Sequence, residues 1–201
     1  IDFTDGTGSL LLEPQRTNLI TYSEDLSQWD TGGTTPVVTA VNNALTGQTN
    51  AYTVEDNDVS VYERIQINAT TTAAAHTLTV FIKKKTSAVS SYSGIQMESG
   101  NKYIIFDSYN GTYNTAGGND YTEISVDDYD SYWRLKATAT TSSGSIRVAL
   151  WGAISVDGTS ISANATGSET FYGVQLEAGD YATSYIPTSG STVTRSADVA
   201  N

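Results

Sequence analysis

Most of the chain is written in short alternations. "HTLTVFIKKK" sets Leu78, Val80 and Ile82 on one parity and Thr79, Phe81 and Lys83 on the other. "YWRLKATAT" sets Trp133, Leu135 and Ala137 against Arg134, Lys136 and Thr138, and "SIRVALWG" sets Ile146, Val148 and Leu150 against Arg147, Ala149 and Trp151. A period of two puts alternate side chains on opposite faces of a strand, so the first set of each predicts a core face and the second an outward face. Strands of this kind are predicted at Val37–Val41, Ala51–Glu55, Val59–Ile67, Thr77–Lys84, Tyr92–Glu98, Lys102–Asp107, Tyr121–Val126, Tyr132–Thr140, Ser145–Ile154 and Thr170–Glu177. Turn-forming clusters such as "GQTN", "EDND", "SAVSS" and "AGGND" separate them. No long stretch carries a helical period; one helical turn is predicted near Ser23–Ser27, with Ser23 as its cap. Regular short strands between turn clusters predict an all-β, two-sheet antiparallel β-sandwich of jelly-roll type.

The two ends read differently. "IDFTDGTGSLLLEPQRTNLI" offers two short extended pieces, Leu10–Leu12 and Leu19–Ile20, with a bend at Pro14. "FYGVQLEAG" reads as the final core strand, with Tyr172, Val174 and Leu176 on one side. "DYATSYIPTSGSTVTRSADV" then reads as an extended strap pegged by Tyr181, Tyr185 and Ile186, with Pro187 forcing extension at the residue before it. A strap along an edge satisfies backbone groups that an open sheet leaves unpaired. Residues 1–201 are thus expected to form a single domain, with 1–20 and 178–201 as straps lying together so that the chain ends are close. The start at Ile1, without Met, reads as a piece of a longer or processed protein.

Charge narrows the partners. Ten Lys and Arg against 22 Asp and Glu leave a formal net charge of −12. That sign disfavours nucleic acid and anionic membranes. Cysteine is absent, so there are no disulfides or thiolate metal sites, and no apolar run approaches the ~20 residues of a membrane span.

Candidate catalytic chemistry is thin. His76 is the sole histidine, which excludes metal sites and dyads that need two; it reads as an exposed residue at a strand start. Glu55, Glu63, Glu98 and Glu123 could supply the paired carboxylates of a glycosidase, but none has a distinguishing context. The acidic clusters Glu55–Asp58 and Asp127–Asp130 lack the spacing of an EF-hand and read as solvated turns. No enzyme is expected.

The outward parity is more informative. Lys83, Arg134, Lys136 and Arg147 all fall on it, with Phe81 and Trp151 beside them. If "VSVYERIQI" buries Val59, Val61, Ile65 and Ile67, then Tyr62, Arg64 and Gln66 join the same set. The expectation is one basic, aromatic-lined sheet face on an otherwise acidic protein. Aromatic rings stack on the C–H faces of sugars, and Arg or Lys pairs with carboxylate or sulfate. Tyr109 and Tyr113, in "DSYNGTYNT", are second-rank ligand-binding candidates. A blander alternative stands beside this one. Outward positions are polar in any sandwich, and nothing in the sequence makes these strands neighbours.

"LLLEPQRTNLITYSEDLSQW" (Leu10–Trp29) and "YGVQLEAGDYATSYIPTSGSTVTRSADV" (Tyr172–Val199) resemble the two ends of a domain common in tail and tailspike-type proteins of bacteriophages and prophages. Between them, "TLTVFIKKK", "IIFDSYNGTY" and "YWRLKATAT" resemble that family's middle strands; "SVDDYDSYWR" departs from it, where the family has Gly before its Trp. The resemblance implies a jelly-roll β-sandwich similar to carbohydrate-binding modules of the family 4, 9 and 22 kind. It implies attachment or non-catalytic recognition of a polysaccharide or host-surface glycan beside other domains of a parent protein, and the basic side chains named above would read acidic or hydroxyl groups on it. The place implied is the virion tail or the extracellular space. A structural spacer of a tail fibre with no ligand is the alternative, and a polysaccharide-degrading enzyme comes third. No cofactor is required. Modules of that kind hold a structural calcium near the chain ends, but Ser23–Asp25 and Gly173–Glu177 do not match the acidic residues usual there.

Overall fold

The computed structural model describes residues 12–97, 102–118 and 121–199. Its strands are β1 (Arg16–Asn18), β2 (Asp30–Gly32), β3 (Val37–Val41), β4 (Ala51–Asp56), β5 (Arg64–Thr71), β6 (Ala75–Lys83) and β7 (Tyr92–Met97). They continue with β8 (Tyr103–Asp107), β9 (Thr112–Ala116), β10 (Tyr121–Tyr129), β11 (Tyr132–Thr140), β12 (Gly144–Ser155), β13 (Gly167–Ala178) and β14 (Val193–Arg195). Among the described residues they form two six-stranded antiparallel sheets and a two-stranded ribbon. The β6 sheet runs β10-β11-β6-β13-β4-β3, the β12 sheet runs β2-β5-β12-β7-β8-β9, and the ribbon pairs β1 with β14. The fold is the all-β sandwich that the alternation predicts.

The core lies between the sheets. Leu78, Val80, Ile82, Leu135 and Ala137 on the β6 sheet meet Ile65, Ile95, Ile104, Ile146, Val148 and Leu150 on the β12 sheet. For β6, β11 and β12 these are the inward parities read from the sequence. One side of the sandwich is closed by Trp133, whose Nε1 donates to Ser108 O (2.8 Å), and by Tyr113, whose hydroxyl donates to Ile124 O (3.1 Å).

Several local expectations are corrected. The final strand carries an extra residue between Tyr172 and Gln175 relative to β6. Gly173 occupies it at φ +60°, in the left-handed region that a side chain resists. The bulge shifts the parity, so Phe171, Val174 and Leu176 enter the core while Tyr172 faces out. Residues 57–63 form a loop rather than a strand, and Val59 is exposed. The helical turn is a 3-10 turn, Leu26–Gln28, capped by Asp25 rather than Ser23. His76 is buried, with Nδ1 3.0 Å from Ala74 O and 2.9 Å from Thr141 Oγ1. Tyr185 is part-buried and Ile186 is buried, but Tyr181 is exposed rather than packed into the sheet. Leu10 and Leu11 lie outside the described residues.

Both ends are tied to β13. Strand β4 pairs with β13 only from Gly167 to Phe171. Beyond that point the edge is taken by the N-terminal segment, where Leu19 N donates to Leu176 O (2.8 Å). Asn18, fully buried, makes four hydrogen bonds there. Its amide donates to Val174 O (3.3 Å) and Ile186 O (2.8 Å), and its Oδ1 accepts from Ile20 N (3.1 Å) and Leu176 N (3.2 Å). Glu177 holds the C-terminal segment in the same manner. It accepts from Gln175 Nε2 (2.8 Å), Thr183 N (2.9 Å) and Thr183 Oγ1 (2.7 Å), with Arg16 Nε at 3.4 Å. The described ends then run side by side, as Arg16 faces Arg195 and Glu13 pairs with Arg195 (2.6 Å).

Asn18→Ala strands two buried N–H groups and two carbonyls, each costing about 1–3 kcal/mol when unpaired. The expected loss is about 3 kcal/mol or more in urea unfolding, with faster proteolysis of residues 179–199; a loss below about 1 kcal/mol would show that the side chain is not the tie.

A second prediction concerns pH. Glu169 is 2 % exposed, and its Oε1 accepts from Thr170 N (2.9 Å). Burial pushes its carboxyl from an ordinary 4.5 up to about 7, against the pull of Lys85. The folded chain therefore holds a proton that the unfolded chain releases, and this group's contribution to stability falls as pH rises from 4.5 to about 7. Glu169→Gln removes the titration. The wild-type chain should lose unfolding free energy relative to the variant across that window and hold a constant difference above it; parallel curves would remove Glu169 from the pH response.

Candidate functional site

The outer face of the β12 sheet carries an aromatic floor with a polar border. Ala149, on β12, lies between Gln66 on β5 and Gln96 on β7. Trp151 lies across from Gly94, which faces Ile105 on β8. Trp151, Ile105, Ala149 and Ile154 form the buried floor, and Tyr62, Tyr92, Tyr103 and Ile161 pack around it. The Tyr103 ring meets Trp151 edge-on, with centroids 5.4 Å apart.

Two arginines border this floor. The Arg64 guanidinium lies 5.7 Å from the Trp151 ring centroid, and its Nε donates to Gln66 Oε1 (2.9 Å). Arg147 donates from a terminal nitrogen to Gln96 Oε1 (2.9 Å). Neither has an ion-pair partner among the described residues. Burial, and then the charge of Arg147, draw the Arg64 guanidinium below its ordinary pKa, with Tyr103 opposing. Gly32, on the neighbouring β2, makes room, because a Cβ there would stand 2.6 Å from Arg64 Cζ.

Two loops frame the face. The loop carrying Tyr62 is closed by its flanking carboxylates: Asp56 Oδ2 accepts from Glu63 N (3.0 Å), and Glu63 Oε2 accepts from Asn57 N (2.9 Å). Burial and the proximity of Glu63 push Asp56 up to about 6, against hydrogen bonds from the Glu63 and Asp58 backbones. The loop leading to Ile161 turns on Asp157, whose carboxylate the Thr159 and Ser160 backbone N–H groups hold far below the usual range. Between Tyr62, Arg64, Tyr103, Trp151 and Ile161 lies a cavity of about 30 Å³, room for about one water. Trp151 Nε1, buried, has no protein partner.

The structure separates the sequence-predicted residues into two groups. Tyr62, Arg64, Arg147 and Trp151 are together on the β12 sheet. Phe81, Lys83, Arg134 and Lys136 lie on β6 and β11, whose outward face is the opposite side of the sandwich. The expectation of one shared basic face is therefore corrected. Parity tells inside from outside within a sheet, but not which of two sheets a strand joins. Trp151 and Phe81 are not open platforms either, at 2 % and 5 % exposed. Loops cover the first, while Tyr129, Tyr172 and Tyr185 surround the second. Arg134 donates to Thr183 O (2.6 Å), Lys136 pairs with Asp127 (2.9 Å) and Lys83 is exposed. Tyr109 and Tyr113 are exposed at the β8–β9 hairpin, and neither belongs to the cluster around Trp151. Sequence reasoning did not pick out Gln96, Tyr103, Tyr92 and Ile161. The alternation of Tyr92, Gly94 and Gln96, and of Tyr103 and Ile105, carried the signal for all but Ile161.

Among the described residues near the chain ends, the carboxylates are already engaged by protein groups. Calcium takes about six to eight oxygens. Here Glu13 is engaged by Arg195 and Ser184 N, Asp25 by Ser27 and Tyr52, and Glu177 by Arg16 and Thr183. Among the described residues, no group of three or more His, Asp or Glu gathers in a way that could hold a metal ion.

No family model and no curated protein matches the chain. Among solved structures, the CBM22-1 xylan-binding domain of Paenibacillus barcinonensis Xyn10C is similar at a TM-score of 0.48 and 10 % identity, over 83 % of this chain and 94 % of that one. A likeness at that level carries no argument about ligand or site.

Because Trp151 is floor, Trp151→Ala empties a cavity beneath Arg64 and Tyr103. The expected cost is about 3–5 kcal/mol in chemical denaturation. A loss under about 1 kcal/mol would mean that the ring is not packed as described.

Proposed function

We propose that this chain is a non-catalytic carbohydrate-binding module that holds an acidic polysaccharide on the outer face of the β12 sheet. The observation that carries the reading is the pair Arg64 and Arg147, each oriented by a glutamine and neither neutralised by a carboxylate among the described residues. A carboxylate or sulfate on a sugar supplies the missing charge, and a guanidinium binds it through paired N–H groups. Half-buried Tyr62 and Tyr103 present ring surface to the C–H faces of flanking sugars. The carboxylates at the far end of the face, Asp107 and Asp157, are committed to turn N–H groups, which favours binding over hydrolysis. Affinity per site is expected in the micromolar to millimolar range, raised by repeated copies in an assembly such as a phage tail.

Affinity electrophoresis through polygalacturonate, alginate and chondroitin sulfate, with xylan and a neutral glucan as controls, tests the reading. The acidic polymers should retard the chain. Arg64→Ala or Arg147→Ala should weaken that retardation roughly 10-fold or more, as expected for hydrogen bonds to a charged group. Unretarded migration in every polymer would leave the spacer role instead, and arginine variants that bind as the wild type does would overturn the assignment of the site to Arg64 and Arg147.

A further inference from the structure

On the opposite side of the sandwich, a cleft of about 130 Å³ lies between β10, β11 and the segment 180–182. Its floor and walls include Glu123, Ser125, Arg134, Lys136 and Thr138, with Tyr181 among the residues of the overlying segment. The roof is pinned to the sheet. Thr77 Oγ1 donates to Gly179 O (3.0 Å), Thr138 Oγ1 to Asp180 O (3.4 Å) and Arg134 to Thr183 O (2.6 Å). The cleft therefore exists before any ligand arrives. Arg134 lines this cleft while its terminal nitrogen is tied to the overlying segment.

Charge around this cleft differs from that on the β12 sheet. Lys136 is already paired with Asp127, and Glu123 and Asp180 line the cleft together with Arg134, so two carboxylates stand with two cations around it. A balanced site of carboxylates, ammonium, guanidinium and hydroxyl suits a ligand that both donates and accepts, as sugar hydroxyls do. Tyr181 is 51 % exposed, with the Arg16 guanidinium 5.0 Å from its ring centroid. A ring left half open beside polar groups is a stacking surface for a pyranose. The volume falls well below the roughly 300–1,000 Å³ of drug-sized pockets, so it takes one sugar unit. We infer that this cleft is a second binding site, specific for a single neutral, hydroxyl-rich sugar residue such as a chain end. Sites on opposite faces let one module engage two glycan chains at once.

The test is a titration of the ¹⁵N-labelled full chain with the methyl glycosides of glucose, galactose, mannose, xylose and N-acetylglucosamine, read by amide shifts. At least one should move the amides of Tyr181, Ala182 and Thr138 with millimolar affinity. Tyr181→Ala should weaken that affinity about 2- to 10-fold while Tyr181→Phe keeps it, as a stacking contact requires. Glu123→Gln should also weaken it, and Arg64→Ala should leave it unchanged. Shifts confined to Tyr62 and Tyr103, no shifts with any glycoside, or a Tyr181→Ala variant that binds normally would overturn the second site. Because Arg64→Ala weakens only the first site, failure of the acidic-polymer reading and failure of this one give different spectra.

Discussion

The arrangement depends on one buried amide. Asn18 uses both of its N–H groups and both lone pairs of its oxygen, on β13, on the segment that follows β1 and on the C-terminal segment at Ile186. A buried amide that is fully satisfied holds backbone in register, whereas an unsatisfied one destabilises by desolvation. The need arises at the place where β4 stops pairing and leaves half of β13 as an open edge in the middle of a sheet. Glu177 and Gln175 repeat the solution one strand position at a time. Gln175 Oε1 accepts from Ile186 N (2.7 Å), and Glu177 accepts from Thr183. The polar residues that make the C-terminal stretch look featureless in sequence are the ligands of this knot.

Once latched, the strap makes the two outer faces unequal. Both faces carry aromatic side chains: Phe81, Tyr132 and Tyr172 on one, Trp151 and its tyrosines on the other. Over the β6 sheet, Tyr185 adds to the layer and Thr183 takes the arginine, so most of that face becomes interior. What remains there is the small cleft beside Tyr181. The β12 face has no strap among the described residues. Two loops, each closed by its own carboxylates, bring Tyr62 and Ile161 to the rim and leave the arginines at the border.

How far this was legible follows from what alternation can encode. The inward sets of β6, β11 and β12 were readable residue by residue, because a wrong parity would bury Lys83 or Arg147. Sheet membership was not readable, since it depends on long-range pairing that leaves no local mark. For that reason Arg134 and Arg147, each correctly read as outward, were placed on one face when they lie on two. Gly173 was visible as a glycine, but not as the residue that turns Tyr172 outward, since a bulge needs only one extra residue on one strand. His76 follows a soft, polar run and looked exposed. Only the fold brings Thr141 over it.

The choice of glutamine beside each arginine separates a structural pair from a waiting one. In a chain with 22 acidic residues, carboxylate partners are in ample supply, and Arg16, Lys84, Lys136 and Arg195 all have them. An Arg–carboxylate pair neutralises the guanidinium and turns it into scaffold. A carboxamide oxygen accepts the same hydrogen bond and fixes the same geometry, yet leaves the positive charge intact. Two such arginines set close enough for one to disfavour the charge of the other carry a cost that an anion would relieve. With a net charge of −12, the surroundings supply no diffuse positive field to draw that anion in. On the proposed reading, recognition would then come from short-range geometry at the pair itself, which suits a polymer that presents its carboxylates or sulfates at fixed spacing better than it suits a free ion.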